Sequence, residues 1–312
     1  MKPLLIGIVG VGKIAREQHI PAIRGNAAFE LAAGCVCGER PLESLAVFPS
    51  LEAMLEGCPQ LDAVVVCSPT QTHYQAARAA LESQKHVLLE KPPCTTMAQL
   101  DDLVQLARLR DCTLFQSWHT CYATAVGPVQ RLLAERRVLH ASVVWKEAVQ
   151  QSHPGQRWLW EAGGFGVFDA GVNALSVLTK VLPEPIFVET ATLSIPVNCE
   201  TPVAASVSFA TRSGARIEAE FDFRHQGDAV WDMQFETDKG TVALGAYGNK
   251  LLVDGVRVAV EPDDGEYPAL YRRFAGLVRD GKSEIDRAPF TLLADIFLTG
   301  RRLSVDPFTD RP

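Results

Sequence analysis

Short apolar runs punctuate the first third of the chain: LLIGIV from Leu4, FELAAGCV from Phe29, LDAVVVC from Leu61, HVLLE from His86 and CTLFQ from Cys112. Each is too short for a helix and carries no polar alternation, so each predicts a strand buried on both faces. Between them lie helix-forming stretches. THYQAARAALESQ follows a candidate cap at Thr72, and in TMAQLDDLVQLARLRD the residues Thr96 and Gln99 have capping-box spacing. Strand alternating with helix is the sequence form of a doubly wound parallel sheet.

Beyond about residue 120 the period changes. ASVVWKEAV, FVETATLSI, AASVSFAT, ARIEAEFDF, WDMQFETD and TVALGA follow one another, with only turns such as Arg212-Ser213-Gly214 and Asp238-Lys239-Gly240 between several of them. Many alternate apolar with polar, which predicts a mainly antiparallel sheet with one covered face. Two helical segments, from about Pro268 to Asp280 and from Pro289 to Arg302, follow it.

The first apolar run leads directly into GVGKIA. Gly10, Gly12 and Ala15 match G-x-G-x-x-[G/A] at a strand-to-helix turn. In that setting the first glycine permits the sharp turn, the second lets a pyrophosphate approach the backbone, and Ala15 allows helix and strand to pack closely. The helix N-terminus adds N–H groups and a positive dipole end. The expected fold is α/β, with an N-terminal Rossmann doubly wound parallel sheet in residues 1–119. A C-terminal α+β domain, residues 120–312, carries a large, mainly antiparallel, open-faced sheet.

Composition narrows the function classes. The 312 residues, 47% hydrophobic and 21% charged, can bury a large core in two domains. A net charge of −7 argues against a nucleic-acid partner, which needs a surplus of Lys and Arg facing phosphates. The eight cysteines lie scattered, mostly in apolar runs, and read as reduced core residues. The chain enters its first strand at once, leaving no room for a secretory leader, and no apolar run approaches a membrane span. A cytoplasmic protein is expected. No His, Cys and carboxylate cluster has metal spacing.

Glu90-Lys91-Pro92 stands at the carboxyl end of HVLLE, where open α/β sheets bind ligands. With G-x-G-x-x-[G/A] upstream, this combination resembles the glucose-fructose oxidoreductase, inositol dehydrogenase and rhizopine-catabolism family, and the resemblance covers nearly the whole chain. Within it the segments SWH (Ser117 to His119), VVWKE (Val143 to Glu147), HPGQRWLW (His153 to Trp160) and GVFDAGVNALS (Gly166 to Ser176) are most similar to aldose 1-dehydrogenases acting on D-galactose and L-arabinose.

The resemblance implies hydride transfer from C1 of an aldose to NAD(P)+, giving the aldonolactone. It implies cofactor contacts by Gly10, Gly12, Lys13, Ile14, Cys37, Arg40, Ser68, Pro69, His73, Glu90, Lys91 and Trp118. Substrate contacts follow at Lys91, His119, Glu147, His153, Asp169, Asn173 and Trp231, and a homodimer through the C-terminal sheet. Asp169 and Asn173 are spaced i, i+4, on one face of a helix beginning near Asp169. Many family members carry a histidine where Asn173 stands, and an amide does not titrate, so proton removal falls to Asp169 or Lys91. Asp169 is preferred as the base, with Lys91 and Asn173 fixing the C1 hydroxyl.

On VVWKE, Trp145 and Glu147 share a face that Lys146 avoids. Trp158, Trp160 and Trp231 can stack on a sugar or fill the core. Ser68, in CSPT, lacks the glycines of a nucleophile elbow. At the cofactor's 2′ position Glu39 can hold a hydroxyl, favouring NAD, or Arg40 a phosphate, favouring NADP; both cofactors are admitted, with NAD favoured. Two alternatives remain: a family dehydrogenase acting on another polyol or cyclic substrate, and a non-catalytic cofactor-binding sensor. The presence of Lys91, Asp169 and Asn173 together argues against the sensor.

Overall fold

The structure, a computed structural model, describes residues 2–35 and 45–309. Its chain divides into two compact units, one of Met1–Trp118 with Asp264–Asp286, the other of His119–Asp263 with Arg287–Pro312.

In the first unit, six strands pair in parallel: β1 (Leu4–Val9), β2 (Phe29–Cys35), β3 (Ala46–Phe48), β4 (Ala63–Val66), β5 (His86–Leu89) and β6 (Leu114–Gln116). Their order, β3-β2-β1-β4-β5-β6, reverses direction between β1 and β4. That reversal opens a crevice at the carboxyl ends of β1 and β4, where such sheets take ligands. Strand β4 is wholly buried, as an all-apolar run between two helical layers must be. Strand β3 was not expected from the sequence. Its three residues carry only two exposed positions and one half-buried one, so no burial pattern marks them.

The helices between these strands are α1 (Ile20–Arg24), preceded by a π-helical turn at Ala15–His19, then α2 (Leu51–Gly57), α3 (His73–Glu82) and α4 (Met97–Leu109). Thr96 caps α4 by accepting from the Gln99 N–H at 3.3 Å. The return arm of the capping box is diverted, because Gln99 Oε1 accepts from the N–H and hydroxyl of Thr95. Thr72 does not cap α3 as expected: its hydroxyl donates to Pro69 O at 2.8 Å.

The second unit opens with α5 (Val126–Ala134) and is built on a nine-stranded sheet. Its strands are β7 (Val138–Lys146), β8 (Ile186–Pro196), β9 (Ala204–Thr211), β10 (Arg216–Asp222), β11 (Val230–Thr237), β12 (Gly240–Gly245), β13 (Lys250–Val253), β14 (Val256–Val258) and β15 (Arg301–Val305). Most neighbours are antiparallel, but β10 runs parallel to β7 and β15 parallel to β8. Alternation is clean on β11, where every second residue from Trp231 to Thr237 is buried while Asp232, Gln234 and Glu236 are exposed. The covered face lies under α7 (Phe168–Val181), which follows the short α6 (Val149–Ser152). Gly171 brings α7 down on the sheet, since a Cβ there would sit 2.9 Å from Phe221 Cδ1.

The last two helices correct the sequence expectation in two ways. Helix α8 (Glu266–Arg279) belongs to the first unit, although it follows the second sheet in the chain. Its buried face of Tyr267, Leu270, Tyr271, Phe274 and Leu277 packs there, with Tyr271 and Phe274 against Phe29. Helix α9 (Ala288–Thr299) stops short of Arg302, because Arg301 and Arg302 begin β15 and pair with Thr192 and Leu193 of β8. No helix among the described residues is long and apolar enough to cross a membrane.

Candidate functional site

The glycine turn of the first unit is built by close approach. Gly10 has φ +87°, and a Cβ there would lie 2.4 Å from Ser68 N and 2.5 Å from Ser68 Cα, so only glycine lets β1 pass the end of β4. Gly12 differs: among the described residues nothing lies within 4 Å of a Cβ built on it. Open space over the second glycine is what the approach of a pyrophosphate requires. The Arg16 N–H donates to Gly12 O at 3.1 Å and starts the helix there, turning its N-terminal end to the same place. The cradle fits a dinucleotide.

Around it, Ser68 Oγ and Thr72 Oγ1 are 2.7 Å apart, and the buried His73 ring lies between Ser68 O (2.6 Å) and Pro92 O (2.9 Å). His73 thereby ties the loop after β4 to the loop after β5. Lys13 pairs with Glu17 at 3.2 Å on the surface and Ile14 is exposed. Trp118 is buried and its Nε1–H donates to Asp286 O at 3.0 Å. Cys37 and Arg40, named for the cofactor, and Glu39 lie outside the described residues.

Glu90 is buried and held from three sides. Its Oε1 accepts from His19 Nε2 (3.2 Å) and the Tyr267 hydroxyl (3.1 Å), and its Oε2 accepts from the Lys91 N–H (2.8 Å). His19 Nδ1 in turn meets the Tyr271 hydroxyl at 2.9 Å. Burial first, and the Glu90 charge with it, pushes the Tyr267 phenol well above the usual range, so Tyr267 serves as a neutral donor. This set holds the backbone from which Lys91 projects.

In the second unit three predicted residues meet. His153 Nε2 is 3.4 Å from Asp169 Oδ2, and its Nδ1 is 3.8 Å from Glu147 Oε1 and 2.9 Å from Ser152 Oγ. Ser152 Oγ–H donates to Glu147 Oε1 at 3.2 Å and closes the chain. Asp169 lies in the first turn of α7, where the helix dipole favours its charge, and Asn173 stands one turn further on. Both are buried, and Asn173 Oδ1 has no hydrogen-bond partner among the described residues. Glu147 leaves the end of β7 on the face of Trp145, while Lys146 points away and pairs with Glu220 at 2.5 Å.

Trp231 lies directly across from Trp145, and the rings meet edge to face at 5.4 Å. The Trp231 Nε1–H is buried without a partner among the described residues. An unpaired buried donor and an unpaired buried acceptor in one unit are what a polar ligand satisfies. His119 opens a short 3-10 segment, His119–Tyr122, and lies 3.3 Å from Thr120 Oγ1 through Nδ1. Trp160 is a core residue, edge-on to Phe223 and Phe308. No group of three His, Cys, Asp or Glu side chains among the described residues is placed to hold a metal ion.

The model of the oxidoreductase family with an NAD-binding Rossmann fold, Gfo/Idh/MocA, matches residues 4–117. Galactose 1-dehydrogenase of Pseudomonas fluorescens is 41% identical over 310 residues, 99% of this chain and 100% of that one. The chain belongs to this family. A crystal structure of a D-galactose-1-dehydrogenase protein from Rhizobium etli matches with a TM-score of 0.93 at 44% identity, covering 99% of each chain. A 3-ketoreductase from Actinomadura kijaniata, solved in complex with NADP, shares the fold at 18% identity and a TM-score of 0.82 over 97% of this chain and 99% of that one.

Sequence reasoning about this Gfo/Idh/MocA member missed His19, Tyr267, Tyr271 and Ser152. Tyr267 and Tyr271 are spaced i, i+4 on the buried face of α8, a visible signal. Their partner Glu90 is distant in the chain, and nothing in the spacing connects the two.

Proposed function

We propose that this family member oxidises C1 of an aldose, D-galactose and/or L-arabinose, to the aldonolactone, with NAD+ or NADP+ as hydride acceptor. The observation that carries this reading is the likeness to galactose 1-dehydrogenase over the full length of both chains. It extends through the second unit, where substrate is chosen, whereas the family model stops at the first. When bound, the nicotinamide cofactor supplies the hydride acceptor.

The first unit holds the cofactor through the Gly10 and Gly12 turn, Lys13, Ile14, Cys37, Arg40, Ser68, Pro69, His73, Glu90, Lys91 and Trp118. Asp169 accepts the C1 hydroxyl proton as hydride departs. Lys91 and Asn173 fix that hydroxyl, and His119, Glu147, His153 and Trp231 bind the remaining ones. The unpartnered Asn173 Oδ1 and Trp231 Nε1 support such a polar substrate. The protein acts as a cytoplasmic homodimer through the open face of the second sheet.

The test is NADH or NADPH fluorescence across a sugar panel. D-galactose and L-arabinose should give turnover; turnover only with an inositol or a 1,5-anhydrosugar, or none with tight cofactor binding, would replace this reading by another family activity or by a sensor.

A further inference from the structure

Strands β12 and β13 are joined by the turn 246–249, and its backbone is left-handed at three successive residues: Ala246 (φ 50°), Tyr247 (φ 55°) and Gly248 (φ 83°). Two adjacent non-glycine residues in that region are disfavoured, and persist only where the surroundings over-determine them. Here they do. Gly248 O accepts from the Ala125 N–H at 2.9 Å, and Asn249 Oδ1 accepts from the N–H and the hydroxyl of Thr124 at 3.2 and 3.1 Å. A Cβ on Gly248 would lie 2.7 Å from Ala123 Cβ, so the turn sits directly on the segment that follows His119.

The side chain presented by this clamped turn is aromatic and directed at the other aromatics of the unit. The Tyr247 ring stacks on Trp231 (6.3 Å, 24°) and meets Trp145 edge-on (6.0 Å, 83°). It stays 42% exposed, unlike either tryptophan. Burial and the neighbouring Glu147 charge push its phenol up, so the hydroxyl is a neutral donor.

These contacts order the residues across the unit. Asp169 meets His153, His153 meets Glu147, Glu147 shares the face of Trp145, and Trp145 meets both Trp231 and Tyr247. A sugar lying along this row with C1 at Asp169 would turn its opposite end, C4 and C5, toward the aromatic group of Trp145, Trp231 and Tyr247.

We propose that Tyr247 is a specificity-determining residue: its ring closes the end of the aldose remote from C1, and its hydroxyl bonds the C5 hydroxymethyl group that galactose has and arabinose lacks. This rests on the C1-oxidation reading above.

The experiment compares D-galactose with L-arabinose on wild type, Tyr247→Phe and Tyr247→Asn, reading kcat/KM for each sugar. In parallel, each sugar's affinity is measured from tryptophan fluorescence without turnover. Asparagine tolerates left-handed backbone, so Tyr247→Asn separates the contact from the fold of the turn. In Tyr247→Phe, kcat/KM for D-galactose should fall roughly five- to tenfold, the value of one neutral hydrogen bond, with L-arabinose within about twofold. Tyr247→Asn should lower both sugars through KM and shrink the galactose preference further. Equal losses on both sugars, or none, would overturn the assignment. If wild type oxidises neither sugar, the C1 reading fails. In that case a galactose-over-arabinose affinity lost in Tyr247→Phe would still support Tyr247, while an unchanged preference, or no binding of either sugar, would overturn it.

Discussion

His153 Nε2 lies 3.4 Å from Asp169 Oδ2, in contact with the carboxylate that the proposed chemistry needs as base. Asp169→Asn keeps the shape and removes the acceptor, so kcat should drop by roughly 10²–10⁴ while cofactor affinity hardly moves. The acid limb of the pH–rate profile, where Asp169 becomes protonated, should vanish in that variant and persist in Lys91→Met. The reverse pattern would assign the base to Lys91.

The two glycines of the first turn should behave differently. Gly10→Ala places a Cβ 2.4 Å from Ser68 N in a left-handed backbone, and stability should fall by more than about 2 kcal/mol. A Cβ on Gly12 meets none of the described residues within 4 Å, so Gly12→Val should leave the fold intact while nucleotide binding is lost. Thermal melts and calorimetric titration separate the two outcomes. Unchanged nucleotide affinity in Gly12→Val would remove the cradle from the account.

His73 supplies a pH dependence. Burial lowers its pKa below the ordinary imidazole value, opposed by the carbonyls of Ser68 and Pro92. A ring neutral in the folded state takes up its proton more readily when the chain unfolds. Its contribution to stability is therefore present above the unfolded pKa of about 6.5 and is lost as pH falls from there toward the lower folded value. The melting temperature should decline below about pH 6.5, less steeply in His73→Gln. A wild-type melting temperature that rises on acidification would show instead that the ring is charged and donates to both carbonyls.

Thiol reactivity should follow burial. Cys94 is pushed up to about 12 by burial, and Cys67 is raised by burial and by Glu90. Since the thiolate is the nucleophile, iodoacetamide at about pH 8 should leave both unmodified in the native protein and label the half-buried Cys199. Peptide mass spectrometry reads the pattern, and rapid native labelling of Cys94 would contradict it.

Arg40 decides the cofactor test. If it holds a 2′-phosphate, Arg40→Ala should weaken NADP by about 1.5–3 kcal/mol and spare NAD. Equal losses in calorimetry would show that it does not discriminate.

The sequence by itself determined the elements whose signal is local. Apolar runs such as Ala63–Val66 could only be strands buried on both faces, alternation on Val230–Thr237 could only be a half-covered strand, and Gly10 and Gly12 marked the turn. It also placed Asp169 and Asn173 on one helix, because the 3.6-residue period is a short-range property. Tertiary structure decided what depends on chain-distant partners. It returned α8 to the first unit, where Tyr267 and Tyr271 meet Glu90 and His19, and it ended α9 early because β8 offered Arg301 and Arg302 a ladder. It also brought Tyr247 onto Trp231, through a strained turn held by Thr124 and Ala125. In each case a buried hydrogen-bonding group or an apolar face was satisfied by a residue far along the chain, and local pattern carries no record of which residue that will be.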